Sequence, residues 1–563
     1  MSETIAYRVL AKAFAAEDVD TLFVLTGDGN MHFAAEFAEL PDTLTVHVRH
    51  EHCAVAAATA YAMATNKVGV ASVTCGPGLT QIITALPAGV RASVPLVVFA
   101  GEAPINARFY NQEIDQAPIV TATGAYYIRA HSLERMLDHV REAFHIAQQD
   151  RCPVVIGIPY DLQKAELSTG ATYVPSSSFL ADGGRPMPDA SRVEELVIRL
   201  ATAKNPILIG GRGALRSGAK QAMVDLADRC GALLANTLPV RGLFDDHTYS
   251  LGVVGGYASD TARAAFAEAD LVVAVGASLS YYTKDGGKLF PNAFVVQIDT
   301  APRGLNHGMR SADLFLTCDA KEGVRAAHKA VQHRLGDAEH TASICRTPEL
   351  AEKLATAVAD SARFEITPGQ IDPRTAMSAV DSVVPWDWDF VTGAGHQAYF
   401  NSQIRGRPPE RFLTVREFGA VGNGLSYALG VAAARRLGGH GRLVLIEGDG
   451  GLLMHVQELE TIKRLGLRML ICVMNDGAYG SEIHKLRADG LSDQIATFGR
   501  TPIHHIAQGF GLRGVEISDL SALPQLFAQF DEQTETEIWN FPVSDHVTAP
   551  TMRSIIAKGH GVM

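Results

Sequence analysis

Along this chain short apolar runs alternate with helix-length segments, and the alternation recurs in three separate blocks. Few folds accept that pattern. An apolar run too short for a helix and bounded by turn residues suits a strand buried on both faces. Strands separated by helical segments then pair in parallel, with helices covering each side. The first block has strand candidates at 22–25, 45–48, 68–74, 95–100 and 153–158. The second has them at 207–209, 232–234, 271–275, 294–298 and 314–316, and the third at 389–391, 412–415, 443–446 and 469–473. Residues 163–188 are polar, rich in Ser, Gly and Pro and without periodicity, which reads as a linker. The expected class is α/β, with three doubly wound parallel-sheet domains at 1–165, 190–340 and 370–545 and a tail at 546–563. That division agrees with 563 residues, more than one core usually serves.

Composition narrows the function classes. The 49 Lys+Arg against 61 Asp+Glu leave a net charge of −12 with no basic run, which argues against nucleic acid as a partner. The apolar runs fall far short of the roughly 18 residues of a membrane span. The first twenty residues read as an amphipathic helix and not a signal peptide, so a cytoplasmic protein is expected. Seven scattered cysteines without a CxxC fit reduced thiols. The 52 glycines exceed the usual ~7% share, so their positions carry information.

In doubly wound sheets ligands bind beyond the carboxyl ends of strands. GDG occurs twice, at 27–29 and 448–450. The second copy closes the apolar run RLVLIE, and Asp476, in NDGAYGSE, lies 27 residues beyond Asp449, the length of one strand-helix-strand return. Adjacent parallel strands would bring both carboxylates to one rim, an oxygen site for a hard cation, while Gly448, Gly450 and Gly451 let a diphosphate approach the backbone. The first GDG has Val55 at the matching offset and is a different device.

GDG followed by Asn475-Asp476 resembles the thiamine diphosphate and Mg²⁺ motif of thiamine-dependent enzymes. The resemblance implies that Asp449 and Asp476 supply side chains, and Ala478 its carbonyl, to a Mg²⁺ that neutralises the cofactor, with Tyr479 alongside. Asp instead of Asn at 476 is similar to the catabolic acetolactate synthases. Glu51 stands in an RHE context like that of the family's glutamate, whose carboxyl bonds the cofactor pyrimidine and assists loss of the thiazolium C2 proton. Two plainer readings of this stretch are a first-turn acid and a metal cluster of His47, His50, His52 and Cys53. TCGPG, with Gly76, resembles the SGPG turn beside the cofactor, and Gln112-Glu113 the FQE segment of acetolactate synthases. Gly395-His396-Gln397 resembles the loop meeting the diphosphate, and Val421 stands where relatives carry a larger apolar residue beneath the cofactor. Asp28, in GDGN, and Glu482 are similar to active-site acids of pyruvate decarboxylases. The histidine pair of those enzymes is absent, with His32 and His484 as candidate substitutes.

In the second domain GGRGALRSG lacks the third glycine of a dinucleotide loop. Related domains bind FAD, ADP or nothing, and FAD stays open. By resemblance, then, the chain is a thiamine diphosphate- and Mg²⁺-dependent enzyme that decarboxylates a small 2-oxo acid and passes the acyl carbanion to a second carbonyl. A decarboxylase releasing an aldehyde, a lyase or hydrolase of a 2-hydroxy ketone or diketone, an FAD-dependent oxidase and a non-catalytic relative are the alternatives. The resemblance also implies a homodimer or homotetramer with active sites between subunits.

Overall fold

The computed structural model describes residues 3–168, 173–179, 184–302, 310–336, 342–356, 360–401, 404–436 and 441–559. Among them are three six-stranded sheets, each wholly parallel and flanked by helices. Across the first sheet the strands run Leu44–His47, Thr21–Val24, Gly69–Val73, Leu96–Glu102, Pro153–Pro159 and Tyr126–Arg129. The third runs Phe412–Thr414, Asp389–Thr392, Leu443–Gly448, Leu470–Asn475, Glu537–Pro542 and Arg513–Glu516. Numbered in chain order within each sheet, both read 2-1-3-4-6-5. The middle sheet, Ser250–Val253, Leu233–Asn236, Pro206–Gly210, Leu271–Val275, Phe294–Asp299 and Leu314–Thr317, reads 3-2-1-4-5-6, the order of dinucleotide-binding folds.

The expected strands stand where the apolar runs placed them, because runs such as VVAV and LICVM fill strands buried on both faces. Four strands of these sheets are additional. Tyr126–Arg129, Ser250–Val253 and Arg513–Glu516 lie at sheet edges, half-covered, and mix polar with apolar residues. Glu537–Pro542 is internal, and its polar members pair inside the protein: Trp539 Nε1 donates to Glu537 at 2.8 Å, and Asn475 Nδ2 donates to Asn540 at 3.0 Å.

Two boundaries move. The segment expected to be a linker begins with Glu166–Ser168, which pairs antiparallel with Glu3–Ile5, so the first domain opens on a short strand ahead of the helix Ala6–Ala16. The rest of that segment includes 169–172 and 180–183, outside the described residues. The expected tail is also built into the fold. Helix Pro550–Ala557 buries Met552 and Ile555, three apart, in the third-domain core. Arg553 pairs with Asp360 at 2.6 Å and Lys558 with Asp285 at 2.7 Å. Residues 560–563 lie outside the described residues.

The first and third domains share one core. Helix Glu51–Thr65 lies against helix Gly424–Ala434, both composed largely of small residues and buried nearly all round. Their approach is close enough that a Cβ on Gly430 would stand 2.1 Å from the Ala57 carbonyl oxygen.

Candidate active site

Strand Leu443–Gly448 pairs in register with Leu470–Asn475, Gly448 facing Met474, and this puts Asp449 beside Asp476 at the carboxyl ends. Asp449 is buried. Its Oδ2 accepts from the Gly477 N–H at 3.0 Å, and Gly477 takes φ +74°, a conformation glycine alone adopts cheaply. Asp476 Oδ1 accepts from the Ala478 N–H at 3.2 Å. Asp449 Oδ1 is buried without a hydrogen-bond partner. Burial pushes the Asp449 carboxyl up to about 6, and burial followed by the Asp449 charge raises Asp476. A buried carboxyl with an orphaned oxygen beside a half-buried one would be compensated by a divalent cation. Only two side chains are offered, which suits a cation that takes its other oxygens from backbone, water and phosphate. The pair fits Mg²⁺ carried by a diphosphate, with the Ala478 carbonyl as a third protein donor.

The loop after strand Asp389–Thr392 supplies His396 and Gln397, both buried. His396 Nε2 accepts from the Ala549 N–H at 3.1 Å, so the C-terminal segment is fastened to this loop. Gln397 Nε2 donates to Glu447 Oε1 at 3.1 Å. Glu447 is fully buried, and burial pushes its carboxyl up to about 8. The Tyr479 ring packs over Gly450, where a Cβ would meet it at 2.9 Å, and edge-on to Phe498 at 5.3 Å.

A cavity of about 1590 Å³ joins this rim to the second domain. His396, Gln397, Val421, Gly448, Asp449, Gly450, Gly451, Asp476, Ala478, Tyr479 and Glu482 all line it. Glu482 is exposed and stands 3.6 Å from Lys485. From the second domain come Arg212, Arg216 and Lys288 together with Asp285, Asp299 and Asp319, so its charged lining is mixed in sign. The glycines of GGRG are spent on close packing: a Cβ on Gly211 would lie 2.3 Å from the Gly276 oxygen, and the Gly213 N–H donates to that oxygen at 2.9 Å. Arg212 meets Glu417 at 2.7 Å and ties this turn to the segment carrying Val421.

The first domain gathers a second set. Glu51 opens its helix behind His50, whose side chain caps the His52 N–H. The Glu51 carboxylate faces the turn at 75–78, standing 3.5 Å from where a Cβ on Gly78 would lie. Gly76 has φ +58°, its Cβ position is 2.2 Å from the Gln112 carbonyl oxygen, and its N–H donates to Gln116 Oε1 at 3.1 Å. Cys75 Sγ lies 3.3 Å from Gln112 Oε1 and 3.9 Å from the Tyr110 hydroxyl. Asp28 is exposed on a turn locked by buried Asn30, which accepts from the Gly27 N–H at 2.8 Å and donates to Ser72 at 2.9 Å. Its charge reaches Cys75, Tyr110 and His32.

Asp28, Glu51, Gly76 and Gln112 are thus neighbours, but none of them lines the large cavity. Within one chain the two sets remain separate. Sequence reasoning passed over Gln116, Tyr110, Cys75, Asn423 and Glu447, which lie within or beside recognised motifs but whose partners are far along the chain. His32 and His484 are not free acid/base groups. Burial lowers both, His484 to about 4; His484 is bonded to Thr548 at 2.9 Å, and His32 is packed by Tyr7. No group of three or more His, Cys, Asp or Glu among the described residues could hold a metal, which sets aside the cluster reading of His47, His50, His52 and Cys53. Nor is any described helix long and apolar enough to cross a membrane.

Three family models match the chain: the thiamine pyrophosphate enzyme N-terminal TPP binding domain at residues 6–119, the central domain at 193–327 and the C-terminal TPP binding domain at 393–536. The chain is similar to the acetolactate synthase of Arthrospira platensis, 32% identical over 84% of this chain and 82% of the relative. It is 30% identical to the acetolactate synthase isozyme 2 large subunit of Escherichia coli, over 83% and 82%. It is 28% identical to a probable acetolactate synthase large subunit of Methanococcus aeolicus, over 84% and 80%.

Proposed function

The chain belongs to the thiamine pyrophosphate enzyme family, and from that premise we propose that it is an acetolactate synthase-like carboligase using thiamine diphosphate and Mg²⁺. Its donor is a small 2-oxo acid that loses CO₂, and the remaining acyl unit joins a second carbonyl. The Asp449–Asp476 pair, with the orphaned oxygen of buried Asp449, carries this reading, because it asks for a cation at the position where GDGG admits a diphosphate. When bound, the cofactor supplies the carbanion chemistry. The protein supplies the rest. Asp449, Asp476 and the Ala478 carbonyl would hold the metal, His396 and Gln397 would border the diphosphate, Val421 would support the cofactor, and the Glu51 carboxyl would exchange a proton with it. Asp28 and Gln112 would face the reacting end, and Glu482 would approach it from the metal side.

Asp28 also supports a second reading. A carboxyl beside Tyr110 and Cys75 could serve proton transfer at the reacting carbon, which would favour aldehyde release over joining two carbonyls. Purified protein given thiamine diphosphate, Mg²⁺ and a panel of 2-oxo acids, 2-hydroxy ketones and diketones separates these outcomes by CO₂ release and product identity. Carboligation products are expected from 2-oxo acids. Glu51→Gln is expected to lower kcat by about 10²- to 10⁴-fold with the fold intact, and full activity in that variant would remove the central assignment.

The site needs two copies of the chain. Exposed apolar residues flank each set, Ile105, Phe109 and Ile114 beside Gln112, and Leu491, Ile495 and Phe498 beside Tyr479. A dimer that covers both patches brings Glu51 of one subunit to the metal site of the other. The switch point of the second domain, where Arg212, Arg216 and Lys288 line the cavity beside Asp285, Asp299 and Asp319, offers a nucleotide such as FAD a place. Absorbance of the purified protein tests it, bound flavin being yellow.

A further inference from the structure

Glu447 immediately precedes GDGG and is fully buried. Its carboxylate touches three separate loops. A Cβ on Gly424 would lie 1.7 Å from Oε2, one on Gly393 2.0 Å from the same oxygen, and one on Gly451 2.5 Å from Oε1. Oε1 accepts from Gln397 Nε2 at 3.1 Å and from the Gly448 N–H at 3.2 Å, while Oε2 has no hydrogen-bond partner among the described residues. The three glycines belong to the segments that form the cofactor rim. Gly393 leads into His396 and Gln397, Gly424 follows Val421, and Gly451 closes GDGG. A leucine would fill a comparable volume without the cost of burying a carboxyl, so packing alone does not account for glutamate here. Its hydrogen bonds do, since they fix the Gln397 amide and the first backbone N–H of the turn.

We infer that Glu447 is a positioning residue of the diphosphate half-site: it joins the Gln397 loop, the Val421 segment and the GDGG turn in the arrangement that receives the cofactor. This rests on the reading of the third domain given above. Glu447 touches the loops and not the reacting atoms, so its removal acts on cofactor affinity and leaves the chemical step of the loaded enzyme largely unchanged.

The test is calorimetric titration of the full-length protein with thiamine diphosphate at saturating Mg²⁺, beside steady-state kinetics. Glu447→Leu keeps much of the volume but removes the oxygen that accepts from both Gln397 and Gly448. It is expected to raise Kd about tenfold or more, the scale of one lost buried hydrogen bond, with kcat at saturating cofactor within about twofold of wild type. Gly424→Ala pushes the same carboxyl from the opposite side and is expected to raise Kd comparably, so either variant decides the matter if the other fails to fold. Wild-type affinity in the variant overturns the inference, as does a large fall in kcat with Kd unchanged. Failure of the wild-type protein to bind thiamine diphosphate with Mg²⁺ overturns the reading of the site itself.

Discussion

Burial decides the chemistry of single residues throughout this protein. Asp449 and Asp476 are costly in an apolar rim and become useful when a cation compensates them. His52 has the same burial with a different outcome. It pairs with Asn423 across the shared core, and burial lowers its imidazole to about 4. His484 is lowered to about 4 likewise. In the unfolded chain a histidine takes up its proton near pH 6.5, whereas these two refuse it until about 4. The stability they contribute is therefore complete above pH 6.5 and is lost as pH falls toward 4, with a slope of up to ~1.4 kcal/mol per pH unit for each group. Urea midpoints measured from pH 7.5 to 4.5 are expected to fall on the acid side. His52→Gln should flatten that fall by up to one proton's worth, and an unchanged slope would show that His52 is not buried neutral.

At the level of elements the helix pair Glu51–Thr65 and Gly424–Ala434 has the greatest consequence. It carries Glu51 at one end and follows Val421 at the other, so its spacing sets where both sit. Small residues make that spacing possible. Gly430→Ala would drive a methyl into the Ala57 carbonyl, and overpacking of this kind costs about 1–3 kcal/mol or more. A lowered thermal midpoint, with activity reduced through displacement of Glu51, is expected. Elements also differ in how plainly the sequence announces them. Strands such as Leu271–Val275 are covered on both faces and read as unbroken apolar runs. Arg513–Glu516 lies at an edge, half-covered, with no such pattern, and Glu537–Pro542 hides Asn540 in pairings with Asn475 and Glu516, partners distant along the chain.

For the whole molecule, two half-sites on one chain predict complementation. Glu51→Gln and Asp449→Ala are each expected to be inactive alone. If the working site takes Glu51 from one subunit and Asp449 from the other, unfolding and refolding the two variants together restores one intact site per mixed dimer. Random pairing then gives up to about one quarter of wild-type activity. No recovery would place both residues in one chain's site. The sequence by itself determined the fold class and the cofactor class, because strand periodicity is local and the GDG and Asn-Asp motifs place their residues at strand ends. It also brought Asp449 and Asp476 to one rim, since a strand-helix-strand return has a nearly constant length. Only the tertiary structure decided which groups are buried, that Glu447 stands behind three loops, that the C-terminal segment is a packed helix fastened to His396, and that Glu51 and Asp449 do not share a cavity. Those outcomes depend on contacts between residues far apart in the chain, which no local pattern encodes.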